Sequence, residues 1–451
     1  MKIVIVGAGT VGTALCVKLA DEGYDITIVD TDSGAISEIT NKCDIAGVEG
    51  NGANIAVLRK AGADKADLLI AVTSDDEINI LCCAAAKKLG TDNTVARVRN
   101  PEYSELMSLM QGEMNLSLTI NPELAVAREI YKMLRFPSAA NIHSFCRGRV
   151  EMAEFVVAPD SPICGISLND LRAKLNMRFL ICAVLRDGEA YIPTGLFSIK
   201  AGDLICFTVP DDELIGFFKA IGAYKNPVRD VLVVGGGRTT YYLEELLEKG
   251  KMNSTVVERD KRLCLDLAEN YNCTVVCNDG TKQEVLLEEG LTSTDAFIAL
   301  SAEDEENAIV SMYAKRLNSN KIITMIKNTS YAELFKSLGL DSIVSPNSST
   351  ASHILRFVRS MAGTSGSEIE SLYKLMDDKV EALEFRVKDD IDELTGVSLK
   401  SLKLKSGILI ACIVRGDKVI IPSGLDVIEK GDTVIIVTTS GKIKEIKEIL
   451  K

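Results

Sequence analysis

Apolar residues come first in a tight block, KIVIVG, then at helical spacing through VGTALCVKLADEGY, then in a second block, DITIVD. A short apolar run bounded by glycine predicts a buried strand, and the 3.6-residue period predicts a helix that stops at the glycine of DEGY. The alternation continues with strands at CDIAGVEG, ADLLIAVT and TVARVR and a helix over DEINILCCAAAKKLG. Strands separated by helices of this length predict βαβ units, a parallel sheet and right-handed crossovers that place helices on both faces.

The pattern then repeats. From RDVLVVGGGRTT onward the same order recurs at an offset of 228 residues, pairing Gly7 with Gly235, Gly9 with Gly237, Asp30 with Glu258, Gly52 with Gly280, Asn79 with Asn307 and Tyr103 with Tyr331. A constant offset over so many positions marks a tandem duplication. Later in each copy the texture changes. PELAVAREIYKMLRF and SSTASHILRFVRS predict connecting helices. Short alternating strands follow, EFVV, FLICAVLRDGEAYIPTG and DLICFTV in the first copy and ALEFRV, GILIACIVRGDKVIIPSG and DTVIIVT in the second. LRDG and VRGDK are hairpin signals. The expected fold class is α/β: two Rossmann-like, doubly wound parallel-sheet domains (1–136 and 228–362), each followed by a small α+β domain (140–224 and 368–451).

Composition narrows the function. Of 451 residues 47% are hydrophobic and 25% charged, a globular balance with enough apolar matter for real cores. A net charge of −13 lacks the basic footprint of a nucleic-acid binder, so no such partner is expected. No run approaches the roughly 18 apolar residues of a membrane span, and the first apolar block is too short for a signal peptide, so a cytoplasmic protein is expected. The twelve cysteines sit mostly singly in apolar segments, as Cys16, Cys182, Cys206 and Cys412 do, and behave there as small hydrophobes. Neither Cys82–Cys83 nor Cys273/Cys277 has the paired spacing of a zinc site, so no metal is expected.

The glycines carry the candidate chemistry. GAGTVG fits GxGxxG between a strand and a helix: Gly7 for the tight turn, Gly9 for approach of the backbone to a pyrophosphate, Gly12 for close packing of helix on strand. Ala8, Thr10 and Val11 complete the loop, whose free amides face a phosphate at the helix N-terminus. Asp30 ends the second strand about twenty residues on, where a carboxylate accepts from ribose hydroxyls and disfavours a 2′-phosphate. Thr73 and Ser74 follow the fourth strand beside the crevice. Arg97 and Arg99 lie two apart on the expected fifth strand and share a face, fit either to clamp phosphates or to pair with carboxylates.

The second loop departs from this. In GGGRTT, Gly235, Gly236 and Gly237 are followed by Arg238, a cation in the loop itself, then Thr239, and Thr240 stands where the third glycine should be. Helix and strand are therefore expected to approach less closely. Glu258 replaces Asp30, and Met325 and Lys327 replace the two arginines. This loop either takes a different, more phosphate-rich nucleotide or is a scaffold copy.

No catalytic constellation accompanies the loops. His143 and His353 lack a recognisable nucleophile or metal partner, and GxSxG, HExxH and GKT/GKS are absent. No catalytic residue is assigned, and a non-enzyme is expected. The acidic residues Asp377, Asp378, Asp389 and Asp390 are read as a solvated surface rather than a cation site.

Several segments in combination resemble the Trk-type regulatory subunits of the RCK/KTN family, which carry an RCK-C domain after each nucleotide-binding domain. In the first copy these are VGAGTVG, IVDTD, VEGNGANIAVLRKAGADKADLLIAVTSDDEIN and ARVRNPEYSEL; in the second, VVGGGRTTYYLEELLEKG, VVERD, CNDGT and IALSAEDEEN. The likeness covers essentially the whole chain. It implies a regulatory role at the cytoplasmic face of a potassium-translocating (TrkH/TrkG-like) transmembrane subunit, with assembly into a dimeric or tetrameric ring. It also implies NAD(H) as ligand, with ATP or ADP as the alternative, above all at the second site. By the same resemblance Asn51 stands where the family often has an acid near the adenine, and Asp279 keeps that acid in the second copy. An NAD-dependent oxidoreductase and a nucleotide sensor for another transporter remain as alternatives.

Overall fold

The structure, a computed structural model, describes residues 1–100, 103, 116–175, 177–210, 213–224, 227–317, 321–340, 342–364, 369–376, 379–439, 443 and 445–451. The chain divides into two compact units, Met1–Leu134 with Val228–Leu355, and Arg135–Pro227 with Arg356–Lys451.

The first unit holds two parallel sheets. Strands β1 (Lys2–Val6), β2 (Asp25–Asp30), β3 (Ala46–Glu49), β4 (Leu68–Ala71), β5 (Asn93–Arg97) and β6 (Leu118–Ile120) lie in the order β3-β2-β1-β4-β5-β6. The order turns back at β1, which leaves a crevice at the carboxyl ends of β1 and β4 where doubly wound sheets bind ligands. β1 and β4 are buried almost end to end, as the continuous apolar runs require. β5 stops at Arg97, so Arg99 lies beyond the strand and not on it as expected. β6, only three residues long, carried no readable period.

In the second unit, strands β7 (Asn141–Phe145), β8 (Val150–Val156), β9 (Leu180–Arg186), β10 (Glu189–Tyr191) and β11 (Leu204–Val209) form an antiparallel sheet in the order β10-β9-β11-β8-β7.

Back in the first unit, β12 (Asp230–Val234), β13 (Asn253–Glu258), β14 (Thr274–Cys277), β15 (Ala296–Ala299), β16 (Lys321–Met325) and β17 (Ile343–Val344) repeat the first sheet as β14-β13-β12-β15-β16-β17. The duplication reaches the register: Lys2 pairs with Asp25 and Val6 with Val29, and Asp230 pairs with Asn253 and Val234 with Val257. The two halves share a core. Helix Pro122–Arg135 of the first copy turns Val126, Ala127, Ile130 and Leu134, spaced at helical period, onto Val231, Val233, Val256 and Ile298 of the second sheet.

The second unit is completed by β18 (Ile369–Leu375), β19 (Val380–Arg386), β20 (Ile408–Arg415), β21 (Lys418–Ile420) and β22 (Thr433–Thr438), antiparallel in the order β18-β19-β22-β20-β21. Its two sheets bury apolar faces in a common cluster that includes Phe145, Met152, Cys182 and Cys206 with Met376, Ala411, Cys412 and Ile435. Two buried glutamates cross this core reciprocally: Met376 N donates to Glu154 and Cys146 N to Glu384. Cys146 and Met376 both have φ of 51°, a left-handed turn that frees each amide.

Candidate functional site

The first glycine loop is shaped by what its residues cannot carry. Gly7 has φ 108°, and a Cβ there would stand 2.9 Å from Thr73 N. A Cβ on Gly12 would stand 1.8 Å from Gly7 O. Gly9 differs, since a Cβ on it would meet nothing within 4 Å, because it faces open space where a ligand's backbone would pass. Helix Thr10–Asp21 starts there without a side-chain cap, so its first amides remain available.

Asp30 holds this loop in place. Its Oδ2 accepts from Ala8 N at 2.5 Å and its Oδ1 from Asp32 N at 2.9 Å. At the end of β4, buried Asn79 accepts from Thr73 N and Oγ1 and donates to the carbonyls of Thr73 and Arg97, pinning two strand ends together. Asn79 stood out in the sequence only as a position repeated at 228 residues. The expected pair of arginines separates. Arg97 donates to Thr73 O, and its Nε is buried without a hydrogen-bond partner. Desolvation, then the charge of Arg99, lowers its pKa, so its cation is held at some cost. Arg99 instead faces Asp76, whose carboxylate also accepts from the amides of Arg99 and Asn100.

These groups surround a cavity of about 480 Å³. Gly7, Gly9, Thr10, Val11, Asp30, Asn51, Thr73, Ser74 and Arg97 line it; Ala8, Gly12 and Arg99 do not. Asn51 Oδ1 accepts from Ala53 N, which tightens the turn that carries it. Asn347 also lines the cavity, a residue of the second copy that sequence reasoning missed because no local motif marks it. The residues fit an anionic ligand with a hydroxylated end: an open glycine, uncapped helix amides and the half-buried cation of Arg97, with the Asp30 carboxylate in the same lining.

The second loop keeps the turn. Gly237 has φ −74° and ψ −173°, against −71° and −172° for Gly9. Thr240 is accommodated because its hydroxyl donates to Gly235 O, so the looser approach expected from it does not reach the turn's dihedrals. Glu258 reproduces the double clasp, accepting from Gly236 N and Asp260 N. Asn307 repeats the pin, joining Ser301 to Met325 O. Lys327 repeats Arg99: its amide meets Asp304 and its Nζ reaches Ala302 O, as Arg99 reaches Ser74 O. Met325 does not repeat Arg97; its Sδ lies 4.0 Å from Thr239 Oγ1. Arg238 is exposed at the loop. Asp279 is held ionised below its usual range by hydrogen bonds from the hydroxyl and amide of Thr281. Glu123, which opens the first copy's connecting helix, lies in the field of Arg99, Arg97 and Arg238, yet burial raises its pKa and leaves its Oε2 without a partner.

The other candidates make contacts of their own. His143 Nε2 sits 3.5 Å from Glu154 in the second unit, and His353 is exposed. Asp389 pairs with Lys430 at 3.6 Å, while Asp377 and Asp378 lie outside the described residues. Among the described residues no group of His, Cys, Asp and Glu could hold a metal ion, and no helix is long and apolar enough to cross a membrane.

Comparison with known proteins agrees with the duplication. The TrkA-N domain matches residues 3–116 and 231–346, and the TrkA-C domain residues 152–222 and 383–451. Trk system potassium uptake protein TrkA homolog 1 of Methanosarcina mazei is 32% identical over 460 residues, covering 100% of both chains. The TrkA of Haemophilus influenzae is 31% identical, covering 100% of this chain and 99% of its own. Among solved structures, the GsuK RCK domain superposes with a TM-score of 0.63 at 16% identity, covering 97% of this chain and 92% of its own. The GsuK channel bound to NAD gives 0.64 at 18%, covering 97% and 77%. At such identities the likeness speaks for the fold. The chain belongs to the TrkA family of Trk-system potassium uptake proteins.

Proposed function

We propose that the chain is a cytoplasmic, non-enzymatic subunit that binds nucleotides in its first unit and thereby controls potassium flux through a transmembrane partner. The carrying observation is the pair of acid-clasped glycine loops, one opening onto a cavity of about 480 Å³. That volume lies within the usual range for small-molecule sites, roughly 300–1,000 Å³.

At the first site NAD(H) fits the donors present. The pyrophosphate would lie against Gly9 and the helix amides with Arg97 as counter-charge, and a ribose would share Asp30 with Ala8 N. Thr73, Ser74 and Asn51 border the remainder. At the second site Glu258 offers the same ribose acceptor and Arg238 the cation, with Asp279 toward the base, a set suited to NAD(H), ADP or ATP. Arg99 belongs to the frame of the first site rather than to its ligand. The domain limits 1–136, 140–224, 228–362 and 368–451, and a ring of copies docked beneath the membrane partner, are part of the same proposal.

A nucleotide gates only if it binds one arrangement of the assembly more tightly than another, and coupling of this kind is typically about 1–3 kcal/mol. Calorimetric titration with NADH, NAD, ATP and ADP tests the reading. Two unlike sites are expected, one lost in Asp30→Ala, and the same ligands should change potassium flux when the partner is present. A folded chain that binds none of the four ends the proposal.

A further inference from the structure

The second site carries a pair of thiols that the first lacks. Cys264, in helix Lys261–Asn270, is buried and donates to Glu258 O at 3.2 Å. Cys277 ends β14, an edge strand, pairs in register with Glu258 and is exposed. Both thiols are anchored at Glu258: its carbonyl oxygen accepts from Cys264 Sγ and from the amide of Asn278, the residue that follows Cys277. In the first copy the matching residues are Ile36 and Glu49.

We propose that Cys264 and Cys277 form a reversible disulfide, driven by hydroperoxides, that weakens nucleotide binding at the second site. The site-directed part rests on the second loop being a nucleotide site; the disulfide itself does not.

Cys277, reachable by solvent, acts first. Its thiolate sulfur attacks one peroxide oxygen, the O–O bond breaks, and the other oxygen leaves as alcohol or water, giving a sulfenic acid. Cys264 sulfur then attacks the Cys277 sulfur, loses its proton and expels water. One hydroperoxide is reduced while two thiols are oxidised, so the electrons balance. Burial raises the Cys264 pKa to about 12, which makes it the resolving and not the initiating thiol. A dithiol reverses the bond by exchange.

The consequence follows from what the sulfurs touch. Glu258 O accepts from both Cys264 Sγ and Asn278 N, while the Glu258 carboxylate holds Gly236 N. Bond formation takes away the thiol donor and draws the helix toward the strand that leads into Asp279. Both shifts bear on the acid clasp and the turn beside it, and neither reaches the first loop.

The test uses the reduced full chain in the Asp30→Ala background, exposed to hydrogen peroxide, alkylated and digested. A linked Cys264–Cys277 peptide is expected, reversible by dithiothreitol and absent in Cys277→Ser. ADP affinity measured by calorimetry should fall at least about threefold on oxidation and recover on reduction. In Cys277→Ser, an exposed and mild change, oxidation should leave affinity unmoved. Failure to find the linked peptide overturns the disulfide. A quantitative disulfide with unchanged affinity overturns its effect on the site. If the linked peptide forms but ADP binds in no state, the second-site reading fails while the disulfide stands.

Discussion

The two glycine loops share a turn and differ in what surrounds it. Both bend through a left-handed first glycine, both are clasped by an acid at the end of the second strand, and beside each an asparagine in the helix after the fourth strand joins the ends of the fourth and fifth strands. The differences come in matched sets. Asp30 is paired with Ala8, whereas Glu258, one methylene longer, is paired with Gly236. A Cβ on Gly236 would stand 3.0 Å from Glu258 Cγ and 2.8 Å from Leu267 Cδ1. The unusual triple glycine is thus explained by the longer acid beside it. The positive charge sits differently around the two candidate sites: Arg97, at a strand end, lines the first cavity, whereas Arg238 stands exposed in the second loop itself. Repeated features describe the scaffold, and unrepeated ones describe what each site can hold.

The sharpest break should come at the third loop position. Gly12→Ala sets a methyl against Gly7 O, and overpacking of this kind costs about 3 kcal/mol where backbone must move. Urea unfolding should show it in the first unit, together with loss of the first site. Thr240→Gly should cost only about 1 kcal/mol, chiefly the hydroxyl's bond to Gly235 O. Equal effects at the two positions would mean the loops are not built differently.

A comparable effect is expected from pH at one carboxyl of the second copy. Glu244 is buried, accepts from Ser254 through one oxygen and leaves the other without a partner, where the first copy has Cys16. Burial, with a contribution from Glu248, raises its pKa to about 7. A carboxyl whose folded pKa is raised costs nothing when protonated in both states. It destabilises the fold as pH rises from the unfolded value near 4.5 toward 7, by on the order of 3 kcal/mol in total. Glu244→Gln should lessen the fall in stability across that window by about that amount. A slope that survives the substitution assigns the titration elsewhere.

The matched acid and loop residue predict a smaller, non-additive effect. Gly236→Ala alone should cost about 2 kcal/mol by crowding Glu258 and Leu267. Combined with Glu258→Asp it should cost less than the two single changes together, by about 1 kcal/mol. Strict additivity in the double-mutant cycle would break the proposed pairing.

Much of this was legible in the chain. The 3.6-residue and continuous apolar patterns located the buried strands and their helices, and the 228-residue offset exposed the duplication. GxGxxG with Asp30 pointed to the strand end where the cavity lies. What escaped reading has physical causes. β6 and β17, three and two residues long, are too short to show a period. Arg97 and Arg99 look alike in sequence because spacing says nothing about which carboxylate each will meet. Asn347 and Glu123 reach their places through the packing of one copy on the other, and no local pattern encodes that. Cys264 and Cys277 meet at Glu258 from a helix and a neighbouring strand end, so their spacing resembles no thiol motif.

The least disruptive test separates the two arginines. Arg99 and Lys327 share two contacts at matching positions, the backbone amide on an acid of the preceding helix and the side chain on a carbonyl just beyond the fourth strand of its sheet; Arg99 Nε adds an approach to Asp76 at 3.4 Å. A role filled by lysine in one copy should be filled by lysine in the other, so Arg99→Lys should change neither stability nor binding measurably. Arg97 has no counterpart: Met325 occupies its place, and the second sheet folds without the cation. Arg97→Met should therefore leave unfolding within about 1 kcal/mol of the parent while weakening NADH binding at the first site roughly tenfold, about 1.4 kcal/mol. Calorimetry reads both. If Arg99→Lys loses binding and Arg97→Met does not, the charge facing the ligand has been assigned to the wrong side chain. Arg97 would then be a buried cation kept for the frame, and the contrast between the two sites would rest on Arg238 alone.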